Sequence, residues 1–204
     1  FSAYSGMGED FRKGSDDAKV KIVEFADFQC PACGNAARAM RQLKAEYGDK
    51  ILVVFKNFPL ESTCNSNVQT KAHLYACNSA ILARCAGGIG KFWDMHDKLF
   101  DSQTSINETS IVAWAKELGL SDQQIKECKE SKDIVAKLQD DSKQATEAGL
   151  QGTPTIFING KKYNGFYARL NQSFRWCKAI RRLSCRTLAG AAREDCRAGR
   201  RRPS

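Results

Sequence analysis

At 204 residues the chain has room for one domain, or one domain with an insertion, and enough length to bury a substantial core. The net charge is +9, but residues 175–204 hold ten Lys/Arg against two Asp/Glu, a net of +8, which leaves +1 on residues 1–174. The body therefore has no electrostatic basis for nucleic-acid binding, and no apolar run approaches the ~20 residues needed to span a bilayer.

Residues 1–17 read as a flexible lead-in, and Phe1–Lys19 lacks the pattern of a signal peptide. Val20–Phe28, "VKIVEFADF", is rich in β-branched and aromatic residues and suits a buried strand. Ala36, Met40, Leu43 and Tyr47 are spaced 4, 3 and 4 apart, which predicts a helix that Gly48 stops. Ile51–Phe58, "ILVVFKNF", is a second buried strand, ended by Pro59. Cys30 and Cys33, "CPAC", sit where the first strand passes into the helix.

The next stretch is helical. Helices are expected over about 73–84, over "KFWDMHDKLF", over 109–118, near 122–130 behind the capping box Ser121/Gln124, and over about 132–148. Strand character returns at "TPTIFING", Thr153–Gly160, and Asn164–Gly165 is a hairpin signal. A last helix begins near Tyr167. The fold class is thus α/β. A core of residues 18–62 and 150–174, with two strands before the insertion and two after, is interrupted by a helical domain over 63–149. A basic, Arg- and Cys-rich tail at 175–204 is expected to be poorly ordered.

Three chemistries could use Cys30 and Cys33. A structural zinc site needs four ligands, usually two close pairs, and there is one CxxC with two isolated histidines, His73 and His96, each readable as a packing residue. An inert disulfide over so short a loop adds little stability. A redox pair has a mechanism. Unpaired N–H groups and the positive end of the helix dipole surround Cys30, stabilise its thiolate and lower its pKa. Cys30 is then the exposed nucleophile, and Cys33, one turn in, resolves a mixed disulfide. Pro31 removes one donor and fixes the turn.

Glu24, six residues before Cys30, is open to two readings. It is a solvated strand-edge charge, or a semi-buried acid that exchanges a proton with Cys33, with Lys56 as its partner. Pro154, in "GTPT", is a loop proline or a cis-proline facing the cysteines. In the cis form it would expose the Thr153 backbone to an extended peptide.

Taken together, "VEFADFQCPACG", "FKNFPL", "GKFWDMHDKLF" and "GTPTIFING" resemble the DsbA-like branch of the thioredoxin superfamily, over about residues 18–170. The resemblance implies a thioredoxin-like fold with an inserted helical domain and thiol–disulfide oxidoreductase activity on reduced proteins. It implies Cys30 as nucleophile, Cys33 as resolving cysteine, Glu24 as a buried acid, and Thr153, Pro154, Pro31 and Ala32 as substrate contacts. It implies a periplasmic or extracytoplasmic setting and re-oxidation by a membrane protein of the DsbB or vitamin-K-epoxide-reductase-like kind. No metal or organic cofactor is called for. The Pro-Ala dipeptide departs from the Pro-His of the strong oxidants, since a histidine there would add charge near the thiolate.

Four further cysteines lie in the body. Cys77 and Cys85 are about 12 Å apart along one predicted helix, beyond disulfide reach. We expect Cys64–Cys77 to close a loop onto that helix and Cys85–Cys128 to tie two insertion helices together. Nine cysteines in all point to an oxidising compartment, with the targeting segment absent from this chain.

Overall fold

The computed structural model describes residues 11–69 and 71–163. A five-stranded sheet of order β1-β3-β2-β4-β5 is built from β1 (Phe11–Lys13), β2 (Val20–Ala26), β3 (Ile51–Asn57), β4 (Thr155–Ile158) and β5 (Lys161–Lys162). β2 and β3 run parallel, joined by α1 (Pro31–Tyr47), and the other pairings are antiparallel. Five helices lie between β3 and β4: α2 (Ala76–Gly88), α3 (Phe92–Asp101), α4 (Glu108–Glu117), α5 (Asp122–Glu130) and α6 (Lys132–Glu147). Among the described residues no helix is long and apolar enough to cross a membrane.

The central strands are buried on both faces, as their unbroken apolar sequences require. Ile22, Val53, Ile156 and Ile158 pack with Ala36, Met40 and Leu43 of α1 on one face. Val23, Phe25, Val54 and Phe157 pack with Ala145 of α6 on the other. α1 ends where Gly48 takes φ 54°, a left-handed conformation that a side chain would strain. Phe28 and Phe55 of the core meet Phe92, His96 and Phe100 of α3, with ring centroids 4.9–6.3 Å apart. Each such pair contributes roughly 0.5–1.5 kcal/mol beyond its buried area, so this cluster welds the insertion to the sheet. Disulfides join Cys64 to Cys77 and Cys85 to Cys128.

Several expectations are corrected. The supposed lead-in contains β1, an edge strand held against β3 by Phe11, whose ring stacks on Phe92 at 3.5 Å. Three strands therefore precede the insertion. The hairpin turn after β4 is Asn159–Gly160, both at positive φ; Asn164–Gly165 lies outside the described residues, as do the helix expected near Tyr167 and the tail from 175. Lys56 does not partner Glu24. The parallel register sets Glu24 opposite Phe55 and Phe25 opposite Lys56, so the two side chains leave opposite faces of the sheet. The Lys56 ammonium instead lies 3.4 Å from Asp141 of α6, which Arg84 of α2 meets at 2.6 Å and the Asn57 amide at 3.0 Å.

Candidate active site

Cys30 occupies the N-cap of α1, with Pro31 following as the first helical residue. It is a cap residue without the usual side-chain oxygen, and its side chain makes no capping hydrogen bond. Proton loss from Cys30 is favoured first by its hydrogen bond with the Cys33 thiol. The Thr153 side chain and the backbone amides of Cys33 and Ala32 act the same way, and together they outweigh desolvation. The Cys30 pKa falls from 9.0 to about 5. Cys33 moves the other way: burial, then the hydrogen bond to Cys30 and the charge on it, push its thiol well above 9.0. The expected exposure of Cys30 is corrected, since it keeps only 8% of its surface against 0% for Cys33. The β2–α1 turn, the insertion and the Thr153 loop crowd around it.

Three side chains shape the turn that delivers Cys30. Asp27 is buried; its Oδ1 accepts from the Gln29 amide at 2.6 Å, and its Oδ2 from the Leu60 amide at 2.6 Å and from His73 Nδ1 at 3.0 Å. Gln29 Oε1 accepts from the Tyr75 amide at 2.6 Å. Gln103, between α3 and α4, donates to the carbonyls of Phe28 and Cys30 at 2.7 and 2.9 Å. Gly34 is the residue that admits Gln103: a Cβ there would stand 2.3 Å from Gln103 Oε1. His73 is thus a ring tied to the turn before Cys30, whereas His96, buried among aromatic rings, is the packing residue.

The Thr153–Pro154 peptide is cis, and the Thr153 carbonyl lies 3.5 Å from Cys30 Sγ. Glu24 is 1% exposed, and its Oε1 has no hydrogen-bond partner. Desolvation, helped by the Cys30 charge, raises its pKa from 4.5 to about 8. It lines a cavity of about 280 Å³ between α1, α3 and the sheet, whose other walls include Met40, Arg41, Trp93, His96 and Asp97.

Signals for the residues that sequence reading missed were faint. Asp27 is one of two acids in an apolar run, the other being Glu24. His73 and Gln103 stand 43 and 73 residues beyond Cys30, and no local pattern links them to it.

A strand–CxxC–helix unit facing a cis-proline loop, on this sheet, is the arrangement of a thioredoxin fold. A family model described as Thioredoxin matches residues 7–172, and the chain belongs to that family. The fold is that of its DsbA-like members. Wolbachia pipientis alpha-DsbA1 superposes with a TM-score of 0.72 at 21% identity, covering 88% of this chain and 92% of that one. Oxidised BdbD from Bacillus subtilis superposes with a TM-score of 0.69 at 19% identity, covering 87% and 94%. Among curated proteins, the Na(+)/H(+) antiporter NhaA 1 of Mycolicibacterium vanbaalenii is 32% identical over 158 residues, 76% of this chain and 24% of that protein. A namesake from Salinispora arenicola is also 32% identical, over 78% and 23%. The chain spans about a quarter of the length of the curated relatives it matches.

Proposed function

We propose that the protein is a disulfide donor, a thiol–disulfide oxidase acting on reduced protein substrates in an extracytoplasmic compartment. The observation that carries the reading is the placement of the two thiols: Cys30 at the N-cap of α1, 3.5 Å from the Thr153 carbonyl ahead of the cis-proline, and Cys33 wholly buried behind it. That placement lowers the Cys30 pKa to about 5 and raises that of Cys33 well above 9.0. A thiolate that is stable in the reduced protein makes the disulfide form an oxidant.

In the reaction, a substrate thiolate attacks Cys30 of the Cys30–Cys33 disulfide. The S–S bond breaks and Cys33 departs with the electron pair. Cys33 binds a proton strongly, and Glu24, still protonated below about 8, is the acid placed to provide it. A second substrate thiolate attacks the substrate sulfur of the mixed disulfide and expels Cys30, a good leaving group because its pKa is low. Two substrate thiols lose two electrons in all, and the enzyme leaves as the dithiol. The Thr153 backbone, beside Cys30 and ahead of Pro154, is the place for an extended substrate strand, with Pro31, exposed at the start of α1, and Ala32 as further contacts.

The two disulfides outside the redox pair support an oxidising compartment. A membrane re-oxidase of the DsbB or vitamin-K-epoxide-reductase-like type would reset the dithiol. The antiporter activity of the curated relatives is not read onto this chain.

The test is oxidation of reduced ribonuclease set beside reduction of insulin, with wild type and Cys30→Ser. Oxidation that depends on Cys30 supports the proposal. Insulin reduction without ribonuclease oxidation makes the protein a reductase, and inactivity in both assays makes it a binding module.

A further inference from the structure

The Pro-Ala dipeptide leaves the redox pair without the internal histidine that would place a cation beside the nucleophile. Two features of the fold bring one there from elsewhere. The first is Asp27. It sits three residues before Cys30, and its carbonyl accepts the Cys30 amide at 3.1 Å, so it belongs to the turn that aims the sulfur. Its carboxyl group takes His73 Nδ1 at 3.0 Å.

The second is the way the 73–75 segment is tied down. The His73 amide donates to the Leu60 carbonyl at 3.4 Å, while the Leu60 amide donates back to Asp27. Two residues on, the Tyr75 amide donates to Gln29 Oε1. Ring, backbone and following residue are therefore all anchored, two of the three directly to side chains of the Cys30 turn. A packing histidine does not need such fixing, and His73 keeps 22% of its side-chain surface, so the ring is partly open to solvent while it is held on Asp27.

We propose that His73 is the electrostatic partner of the Cys30 thiolate, a positioning residue whose imidazolium, oriented by Asp27, supplies the charge that the CxxC dipeptide lacks. The inference rests on the redox reading of Cys30 and Cys33. The groups that bear on Cys30 are Cys33, the Thr153 side chain and the backbone amides of Ala32 and Cys33; the Cys30 charge in turn is felt at Glu24 and at His73, and His73 is faced by Asp27 as well. The Asp27 hydrogen bond, above all, raises the His73 pKa against the opposing effect of burial, and the Cys30 charge adds to the rise, so both neighbours favour the imidazolium. Reciprocity follows: whatever His73 does to the affinity of Cys30 for its proton, Cys30 does to the affinity of His73.

The experiment uses the full chain as wild type, His73→Gln and His73→Lys. Thiolate absorbance gives the Cys30 pKa, and the Cys30–Cys33 equilibrium is measured in glutathione buffers. His73→Gln is expected to lower the acid dissociation constant of Cys30 about tenfold, the lower end of the range for losing one nearby opposite charge. At pH 7 it should shift the glutathione equilibrium toward the disulfide by a similar factor. His73→Lys, which keeps a charge, should recover most of both.

In wild type, proton NMR of the two histidines should show the His73 pKa falling when the protein is oxidised, because the disulfide removes the thiolate. An unchanged Cys30 pKa in His73→Gln overturns the proposal, and so does His73→Lys behaving like His73→Gln, or a His73 pKa indifferent to oxidation. A wild type that does not exchange with glutathione overturns the redox reading instead, while the two pKa measurements still decide the role of His73.

Discussion

Replacing Glu24 by glutamine should stabilise the disulfide form of the protein by an amount that grows with pH. Glu24 is almost wholly enclosed and carries an unpartnered oxygen, so its charged form is disfavoured and its pKa is raised from 4.5 to about 8. For a carboxyl whose folded pKa lies above its unfolded one, the favourable contribution is complete below 4.5. It is lost as pH climbs toward the folded value, because the unfolded chain ionises first.

At about 1.4 kcal/mol per pKa unit, the loss reaches roughly 3 kcal/mol at pH 7 and roughly 4 at pH 8. Glutamine has nothing to ionise and escapes this loss. In the disulfide form Cys30 bears no charge, so these figures are upper bounds, set mainly by burial. Urea denaturation of both oxidised proteins at pH 4, 5, 6, 7 and 8 is the assay. The difference should be small at pH 4 and rise steadily. A difference that stays flat with pH, or a variant less stable than wild type at pH 8, would refute the burial argument.

Other outcomes follow from the same structure. Reduced protein should gain stability over oxidised protein as pH rises from about 5 toward 9, because the Cys30 pKa is depressed in the folded state and that contribution vanishes as pH falls through about 5; parallel urea titrations of the two forms would read it. Gly34→Ala should cost about 1–3 kcal/mol by driving a methyl group into Gln103, and pairing it with Gln103→Ala should cost less than the two separate losses added together. Asp141→Ala should destabilise by about 3–5 kcal/mol in chemical denaturation, since it strands the buried Lys56 and Arg84 together. Removing Cys85–Cys128, which spans 43 residues, should cost about 4 kcal/mol, against about 3 for Cys64–Cys77, which spans 13.

What the sequence revealed was what is local. The apolar run before Cys30, the 4-3-4 spacing after it and the stop at Gly48 are written within some thirty residues, and they place the cysteines at the N-terminus of α1. The Ser121/Gln124 capping box marks the start of α5 for the same reason. What depends on register or on distant pairing was hidden. Glu24 and Lys56 were paired because both sit in neighbouring strands, yet a difference of one residue in register sends their side chains to opposite faces. β1 is three residues long, too short for a periodic signal, and it is held by a ring stacked on a helix 81 residues away. His73 was read as packing because its tie to Asp27 crosses 46 residues. Gln103 gave no signal at all, although the glycine directly after CPAC marks the place it fills.

The most direct test of the central claim is the equilibrium of Cys30–Cys33 with glutathione at pH 7, read by mass after alkylation of free thiols. With Cys30 titrating near 5 rather than near 7 as in thioredoxin, thiolate stabilisation favours the dithiol by about 2 kcal/mol more. That is about 50 mV above thioredoxin's roughly −270 mV. A potential of about −220 mV or higher is the predicted result; one at or below about −270 mV would contradict a disulfide donor and identify a reductant.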